Sequence, residues 1–194
     1  ATIPTLAIQL WLSESLIQSQ YLASLYLPEI AAYLPFLFKI LKWFIVIALT
    51  EELFKYFVVR LTVYKDGVLD EPLDVMLYMV VAALGFAALE NMLYLFSPIN
   101  SIISLEEMLK ATILISFVRF IGATFLHTLS SALLGYFLVK SLFDPKNRLK
   151  FTAIGIALAT LLHGLYNFSI MTLQEPLNFI LSATIMAVLA LFVI

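Results

Sequence analysis

Five long apolar runs constrain this chain more than any other feature of its sequence. A helix that crosses the hydrocarbon core of a bilayer needs about 20 mostly apolar residues. Four runs reach that length, and a fifth continues to the end of the sequence. They do not alternate as the strands of a membrane barrel do. We therefore predict an all-α, polytopic transmembrane helix bundle with a polar site in the bundle core. The predicted single membrane domain covers residues 1–194, with spans at about 35–64, 73–96, 111–143, 151–173 and 177–194.

The composition supports this prediction and excludes other classes of protein. The chain is 63% hydrophobic and 12% charged, whereas a soluble domain is about 45–50% apolar and about 25% charged. It is therefore neither a soluble globular protein nor a disordered chain. A net charge of −2 provides no basic surface for nucleic acid. Without cysteine, the chain has no disulfide, no thiolate metal site and no cysteine nucleophile.

The segment before the first span and the charged loops complete the predicted topology. Residues 1–34 are apolar but interrupted by prolines and polar side chains, so we predict an interfacial helix or an extra helix packed on the bundle. The loop at 140–150 contains four Lys or Arg residues, and Arg60 and Lys65 flank the loop at 60–72. Because cytoplasmic loops are enriched in Lys and Arg, we place both loops in the cytoplasm.

Glu51, Glu52 and Lys55 lie within the first apolar run. Ionisable groups inside a spanning helix cost several kcal/mol unless they are paired or solvated, so they mark functional sites. At helical spacings of four and three residues, Lys55 can sit beside either glutamate and hold it ionised. The other glutamate is then free to accept a proton. The alternative is that the helix ends near Thr50 and the three charges lie at the membrane interface.

Glu90 and Asn91 lie within the second run, after a stretch of small residues at 82–85. Small residues let another helix approach closely, so we expect Glu90 to face protein rather than lipid. A structural hydrogen bond that fixes helix packing is the alternative explanation.

The two histidines of the chain lie in the third and fourth runs. His163 and Asn167 are four residues apart and share one helix face. His127, taken alone, is also explained as a hydrogen-bonded core residue. Two histidines and one glutamate form the ligand set of a hydrolytic zinc site with an open fourth position. A second carboxylate can act as the general base, and an asparagine can stabilise an oxyanion.

At these residues the sequence resembles the PrsW family of intramembrane proteases, in the superfamily of the type II CAAX prenyl endopeptidases. The matching motifs occur in the family's order between about residues 50 and 168. They are Glu51-Glu52-x-x-Lys55, Phe86-Ala-x-x-Glu90-Asn91, His127 followed by Gly135, and His163-x-x-x-Asn167. The CAAX-type relatives carry a histidine where this chain has Glu90, so ligand roles do not transfer directly.

The resemblance implies a membrane-embedded endopeptidase of a prokaryotic cell membrane. Its substrates would be membrane-anchored proteins, such as anti-sigma factors, cut near or within the lipid bilayer. The resemblance implies that both glutamates of the first motif, Glu90 and both histidines form the site. Whether the mechanism uses a metal or a glutamate-activated water alone is left open, as is homo-oligomerisation.

We predict a zinc-assisted reaction with the following roles. Glu90, His127 and His163 bind the metal, and Glu51 or Glu52 is the general base. Lys55 and Asn91 support the site, and Asn167 is the oxyanion donor; the list of predicted site residues is therefore Glu51, Glu52, Lys55, Glu90, Asn91, His127, His163 and Asn167. Two alternatives are a proton-coupled transporter, since buried Glu, His and Lys also build proton relays, and a catalytically silent membrane scaffold subunit.

Overall fold

The computed structural model describes residues 2–63, 71–95 and 105–193, and the regular elements in these ranges are all helical. Two short 3₁₀ turns, Pro28–Ile30 and Pro145–Asn147, precede the second helix and the sixth. In chain order the other elements are α1 (Thr2–Tyr26), α2 (Leu34–Leu41), a π-helical segment (Lys42–Leu49), α3 (Thr50–Thr62), α4 (Pro72–Leu95), α5 (Leu105–Phe143), α6 (Arg148–Thr172) and α7 (Leu177–Val193).

Three of these helices are long and apolar enough to cross a membrane. They are the segments Pro72–Leu93, Glu106–Phe143 and Pro145–Thr172, and α7 is a shorter apolar helix. Along α5, large side chains such as Phe117 and Phe120 are more than 60% exposed, a surface suited to lipid rather than water. The predicted all-α transmembrane bundle is thereby confirmed.

The first predicted span is a continuous helical run in which α2, the π-helical segment and α3 follow one another without a break. The helix therefore does not end near Thr50. A π-helix is rare and occurs frequently at functional sites. Here it ends at Leu49, two residues before Glu51, and the side chains of Glu51 and Glu52 are both buried.

The core joins the helices that carry the predicted site residues. Buried side chains of α3, α4, α5 and α6 form one apolar cluster, which comprises Tyr56, Val59, Val75, Met79, Leu134, Leu138 and Ala159. A second cluster joins α5, α6 and α7. Close van der Waals packing of these side chains fixes the relative positions of α3 to α6, and hence of the polar groups that they carry.

Gly135 allows α5 to approach α4 closely. A Cβ atom at this position would lie 2.8 Å from Met76 Cα, and a backbone atom cannot move aside as a side chain can. We expect Gly135→Ala to lower the free energy of unfolding by about 1–3 kcal/mol, the usual cost of overpacking. Thermal unfolding in detergent micelles measures the effect.

Gly85→Ala is the matched control for this variant. Gly85 also lies within a helix, but nothing lies within 4 Å of an added Cβ. Because alanine favours the helix over glycine by about 1 kcal/mol, Gly85→Ala should be neutral or stabilising. If both variants unfold alike, the close approach at Gly135 does not limit packing.

Helix α1 occupies the segment for which an interfacial or extra helix was predicted. It packs against α2, the π-helical segment and α3, and its Thr2 and Thr5 side chains are buried.

The 60–72 loop lies largely outside the described residues, and its cytoplasmic placement stays a prediction. In the 140–150 loop, hydrogen bonds from Asn147 hold the pKa of Asp144 below its usual range.

Candidate active site

The polar side chains of four helices meet in the interior of the bundle. Glu51, Glu52 and Lys55 come from α3, Glu90 from α4, His127 from α5 and His163 from α6. The rings of His127 and His163 pack edge to face with their centroids 4.9 Å apart. The structure therefore brings together the predicted glutamates, the lysine and both histidines.

Gly164 lets the first helical run approach α6 beside His163. A Cβ atom at Gly164 would lie 2.6 Å from Phe44 Cδ1 in the π-helical segment. The missing side chain thus lets α6 pack against the segment that ends before Glu51. This close approach helps to place His163 next to the two glutamates of α3.

Glu52 is the centre of a fully buried hydrogen-bond cluster. Its Oε1 atom accepts hydrogen bonds from Lys55 Nζ at 2.7 Å, His163 Nδ1 at 2.8 Å and Ser130 Oγ at 3.1 Å. Glu52 and Lys55 are both 0% exposed, so each compensates the charge of the other in a dry environment. Because a carboxylate only accepts, His163 carries its proton on Nδ1 and has a lone pair on Nε2.

Lys55 connects this cluster to His127 and Glu90. Its ammonium lies 3.0 Å from His127 Nδ1. Since an ammonium only donates, a neutral His127 carries its proton on Nε2 and donates it to Glu90 Oε2 at 2.9 Å. Glu90 Oε1 lies 3.1 Å from Arg119 Nη2. The site therefore contains two ion pairs, one between Glu52 and Lys55 and one between Glu90 and Arg119.

Glu51 has a different environment from its neighbour. Its Oε1 atom accepts a hydrogen bond from Gln9 Nε2 of α1 at 2.9 Å. Its buried Oε2 atom, like Oε2 of Glu52, has no hydrogen-bond partner among the described residues. Oε2 of Glu51 lies 3.6 Å from His163 Nε2, and Glu51 lines the cavity described below, whereas Glu52 does not. Burial without a partner is costly for a carboxylate oxygen, so this atom is suited to bind an ion, a proton or a water molecule.

Glu51, His127 and His163 form a candidate metal site. Each offers a ligand atom, and the three atoms lie within 4.8 Å of one another. Ligand atoms of one tetrahedral zinc ion lie about 3.4 Å apart, given bonds of about 2.0–2.1 Å. Small movements of buried side chains can close this difference. Glu90, predicted as the third ligand, contacts His127 Nε2 through Oε2 and is paired with Arg119.

A cavity of about 470 Å³ opens beside these groups. Its polar wall includes Glu51, Glu90, His127, Arg119 and Asn167, and the rest of the lining contains both polar side chains of α1 and apolar side chains. Glu52 is fully buried and is not among the lining residues. Glu51 and Asn167 therefore border the cavity directly, whereas Glu52 does not.

Asn91 and Asn167 occupy different places. Asn167 lies on the cavity wall one helical turn from His163. Asn91 donates from Nδ2 to Thr124 Oγ1 at 3.2 Å. That bond joins α4 to α5 and thereby supports the helix that carries Glu90.

The sequence-based prediction missed Gln9 and gave no role to Arg119. A signal for Gln9 is present, because Thr2, Thr5 and Gln9 recur at spacings of three and four along an apolar helix. Arg119 had the signal of a charge inside a span, which requires an acidic partner.

The chain is similar to a known protein family and to several of its bacterial members. The model of the PrsW family of intramembrane metalloproteases matches residues 11–194. Protease PrsW of Bacillus subtilis (strain 168) is 31% identical over 132 residues, which cover 68% of this chain and 55% of the relative. Protease PrsW of Oceanobacillus iheyensis is 33% identical over 125 residues, which cover 64% and 52%.

A third relative, protease PrsW of Geobacillus kaustophilus, is 32% identical over 132 residues that cover 68% of this chain and 53% of the relative. The chain thus spans about half the length of the curated relatives that it matches. No solved structure matches it.

Proposed function

The chain belongs to the PrsW family of intramembrane metalloproteases, and we propose that it hydrolyses peptide bonds of membrane-anchored proteins. The observation that carries this proposal is the unpartnered Oε2 atom of Glu51, buried between His163 and the cavity. Buried glutamates and histidines also occur in the proton relays of transporters, and it is family membership that favours the protease.

We assign a zinc ion to Glu51, His127 and His163, because their ligand atoms all lie within 4.8 Å of one another. When bound, zinc would polarise the scissile carbonyl and acidify a water molecule. The donor set fits this metal, since Glu51 Oε2 lacks a hydrogen-bond partner and lies 3.6 Å from His163 Nε2, which carries a lone pair.

Glu52 and Lys55 position His163 rather than react themselves. Glu52 accepts a hydrogen bond from His163 Nδ1. This bond fixes the tautomer and the orientation of the ring, as carboxylates beside metal-binding histidines commonly do. Lys55 compensates the charge of Glu52. We therefore do not assign the general base to Glu52.

Glu90 is our candidate for the general base. It lines the cavity and touches His127 Nε2 through Oε2. A ligand role for His127 requires that its proton move from Nε2 to Nδ1 and that the Lys55 ammonium turn away from Nδ1. Glu90 Oε2 then loses a donor and can accept a proton from water. The reverse assignment, predicted from the sequence, has Glu90 as the ligand and Glu51 as the base.

Cleavage by the purified protein in liposomes tests the proposed function. The wild type should cut a reporter anchored by one transmembrane helix and should contain stoichiometric zinc. His163→Ala should lose both properties, because it removes a ligand. If the wild type is active without zinc, the zinc mechanism is wrong, and Glu51 activates the water molecule directly. A wild type that cuts no anchored reporter but couples proton flow to uptake would be a transporter.

Asn167→Ala is expected to keep its zinc and to cut slowly. We assign the Asn167 amide to the oxyanion of the scissile carbonyl, because it lies on the cavity wall one turn from His163. Removal of one oxyanion donor costs about 10²–10³ in rate. Single-turnover cleavage and zinc content measure the two properties separately. Loss of zinc from Asn167→Ala would show that Asn167 supports the site instead.

A further inference from the structure

One face of helix α1 carries a polar stripe that lines the cavity. Thr2, Thr5 and Gln9 are spaced by three and four residues, so they share that face. Thr2 and Thr5 are 5% and 1% exposed, and all three residues line the cavity. Helix α1 therefore forms a wall of the cavity with its polar side.

Gln9 connects this wall to Glu51. Its Nε2 atom donates to Glu51 Oε1 at 2.9 Å and to Thr50 Oγ1 at 3.3 Å. Thr50 Oγ1 in turn donates to the carbonyl oxygen of Ile47 at 2.9 Å, so it is oriented to accept from Gln9. One oxygen of the Glu51 carboxylate is thereby fixed, and the other is directed toward His163.

The chemistry of the partner distinguishes the two neighbouring glutamates. Glu52 is held by the ammonium of Lys55, which compensates its charge. Glu51 is held by the amide of Gln9, a neutral donor that orients the carboxylate without forming an ion pair. A carboxylate held by an uncharged donor keeps its negative charge available to a metal ion or a proton.

We propose that Gln9 is a positioning residue for Glu51, acting from helix α1, which lines the cavity. The inference rests on the proposed function for its catalytic consequence. Gln9 precedes the residues 11–194 that match the family model, so this contact adds a contribution from outside the matched region.

Gln9→Met tests the proposal, because methionine has a similar length and no amide donor. We expect kcat to fall by about 10- to 100-fold and zinc affinity by a similar factor, with little change in KM, as for other residues that orient a ligand. Gln18→Met is the matched control: it makes the same change on the same helix at an exposed position. The control should match the wild type in all three measurements.

A rise in KM with unchanged kcat would overturn the proposal and indicate that Gln9 contacts the substrate at the cavity wall. Equal behaviour of Gln9→Met and Gln18→Met would overturn it as well. If the wild type itself cuts no reporter, the proposed function fails. Thermal unfolding then tests whether the side chains of Gln9 and Glu51 are coupled. Because the contact is lost in either single variant, Gln9→Met should add no further loss of thermal stability to Glu51→Ala. Additive losses would show that the two side chains are not coupled.

Discussion

Glu51→Gln is expected to reduce cleavage of a membrane-anchored reporter to the level of a protein-free control and to remove the bound zinc. Glutamine keeps the volume of the side chain and can still accept the hydrogen bond from Gln9. It lacks the negative charge that a metal ligand or a proton acceptor needs. Initial rates in liposomes and elemental analysis of the purified protein measure the two losses.

Two further variants define what the loss means. Glu106→Gln makes the same change at a side chain that is 77% exposed, and it should behave as the wild type. Glu90→Gln should keep zinc and lose about 10²–10⁴ in rate, the usual contribution of a general base. If Glu90→Gln loses zinc and Glu51→Gln keeps it, the roles are reversed. Near wild-type turnover in Glu51→Gln would contradict the proposed site.

The class of fold and the meeting of the polar groups follow from the sequence for one physical reason. Ionisable side chains in four separate apolar helices need a common partner, because lipid offers none. The geometry agrees with that reasoning: His127 Nε2 lies 2.9 Å from Glu90, and His163 Nδ1 lies 2.8 Å from Glu52. The individual roles of these groups stay predictions.

The pairing of Lys55 could not be predicted, because both glutamates lie at a helical spacing from it. The structure pairs Lys55 with Glu52, three residues away, and turns Glu51 toward the cavity. That choice depends on the rotation of α3 about its axis, which packing against α4 and α6 sets. The periodicity of a single helix carries no information on it.

The contribution of α1 to the site could not be predicted from the sequence for a different reason. The hydrogen bond between Gln9 and Glu51 joins residues that are 42 positions apart. A polar stripe predicts which face of α1 is buried, but not the helix against which that face packs. Arg119 and Glu90, on α5 and α4, illustrate the same limit, since a charge in a span predicts a partner without identifying it.

Lys55→Met is expected to cause the largest loss of stability among substitutions in the site. It leaves the Glu52 carboxylate at 0% exposure without its ammonium partner. Breaking a buried ion pair in this way costs about 3–5 kcal/mol, because one charge stays buried without compensation. Thermal unfolding in lipid nanodiscs should show a large decrease in the midpoint temperature.

The double variant Glu52→Gln/Lys55→Met should recover most of that stability. It removes both charges together, and the side-chain carbonyl oxygen of the introduced glutamine can still accept a hydrogen bond from His163 Nδ1. Replacing both partners of a buried ion pair is often nearly neutral. Lys110→Met is the control, because Lys110 pairs with Glu106 at 74% and 77% exposure, where solvent screens the charges. If Lys55→Met unfolds no earlier than Lys110→Met, the buried pair does not stabilise the fold as charges. If the double variant is less stable than Lys55→Met alone, Glu52 stabilises the bundle through its hydrogen bonds with His163 and Ser130 rather than through Lys55.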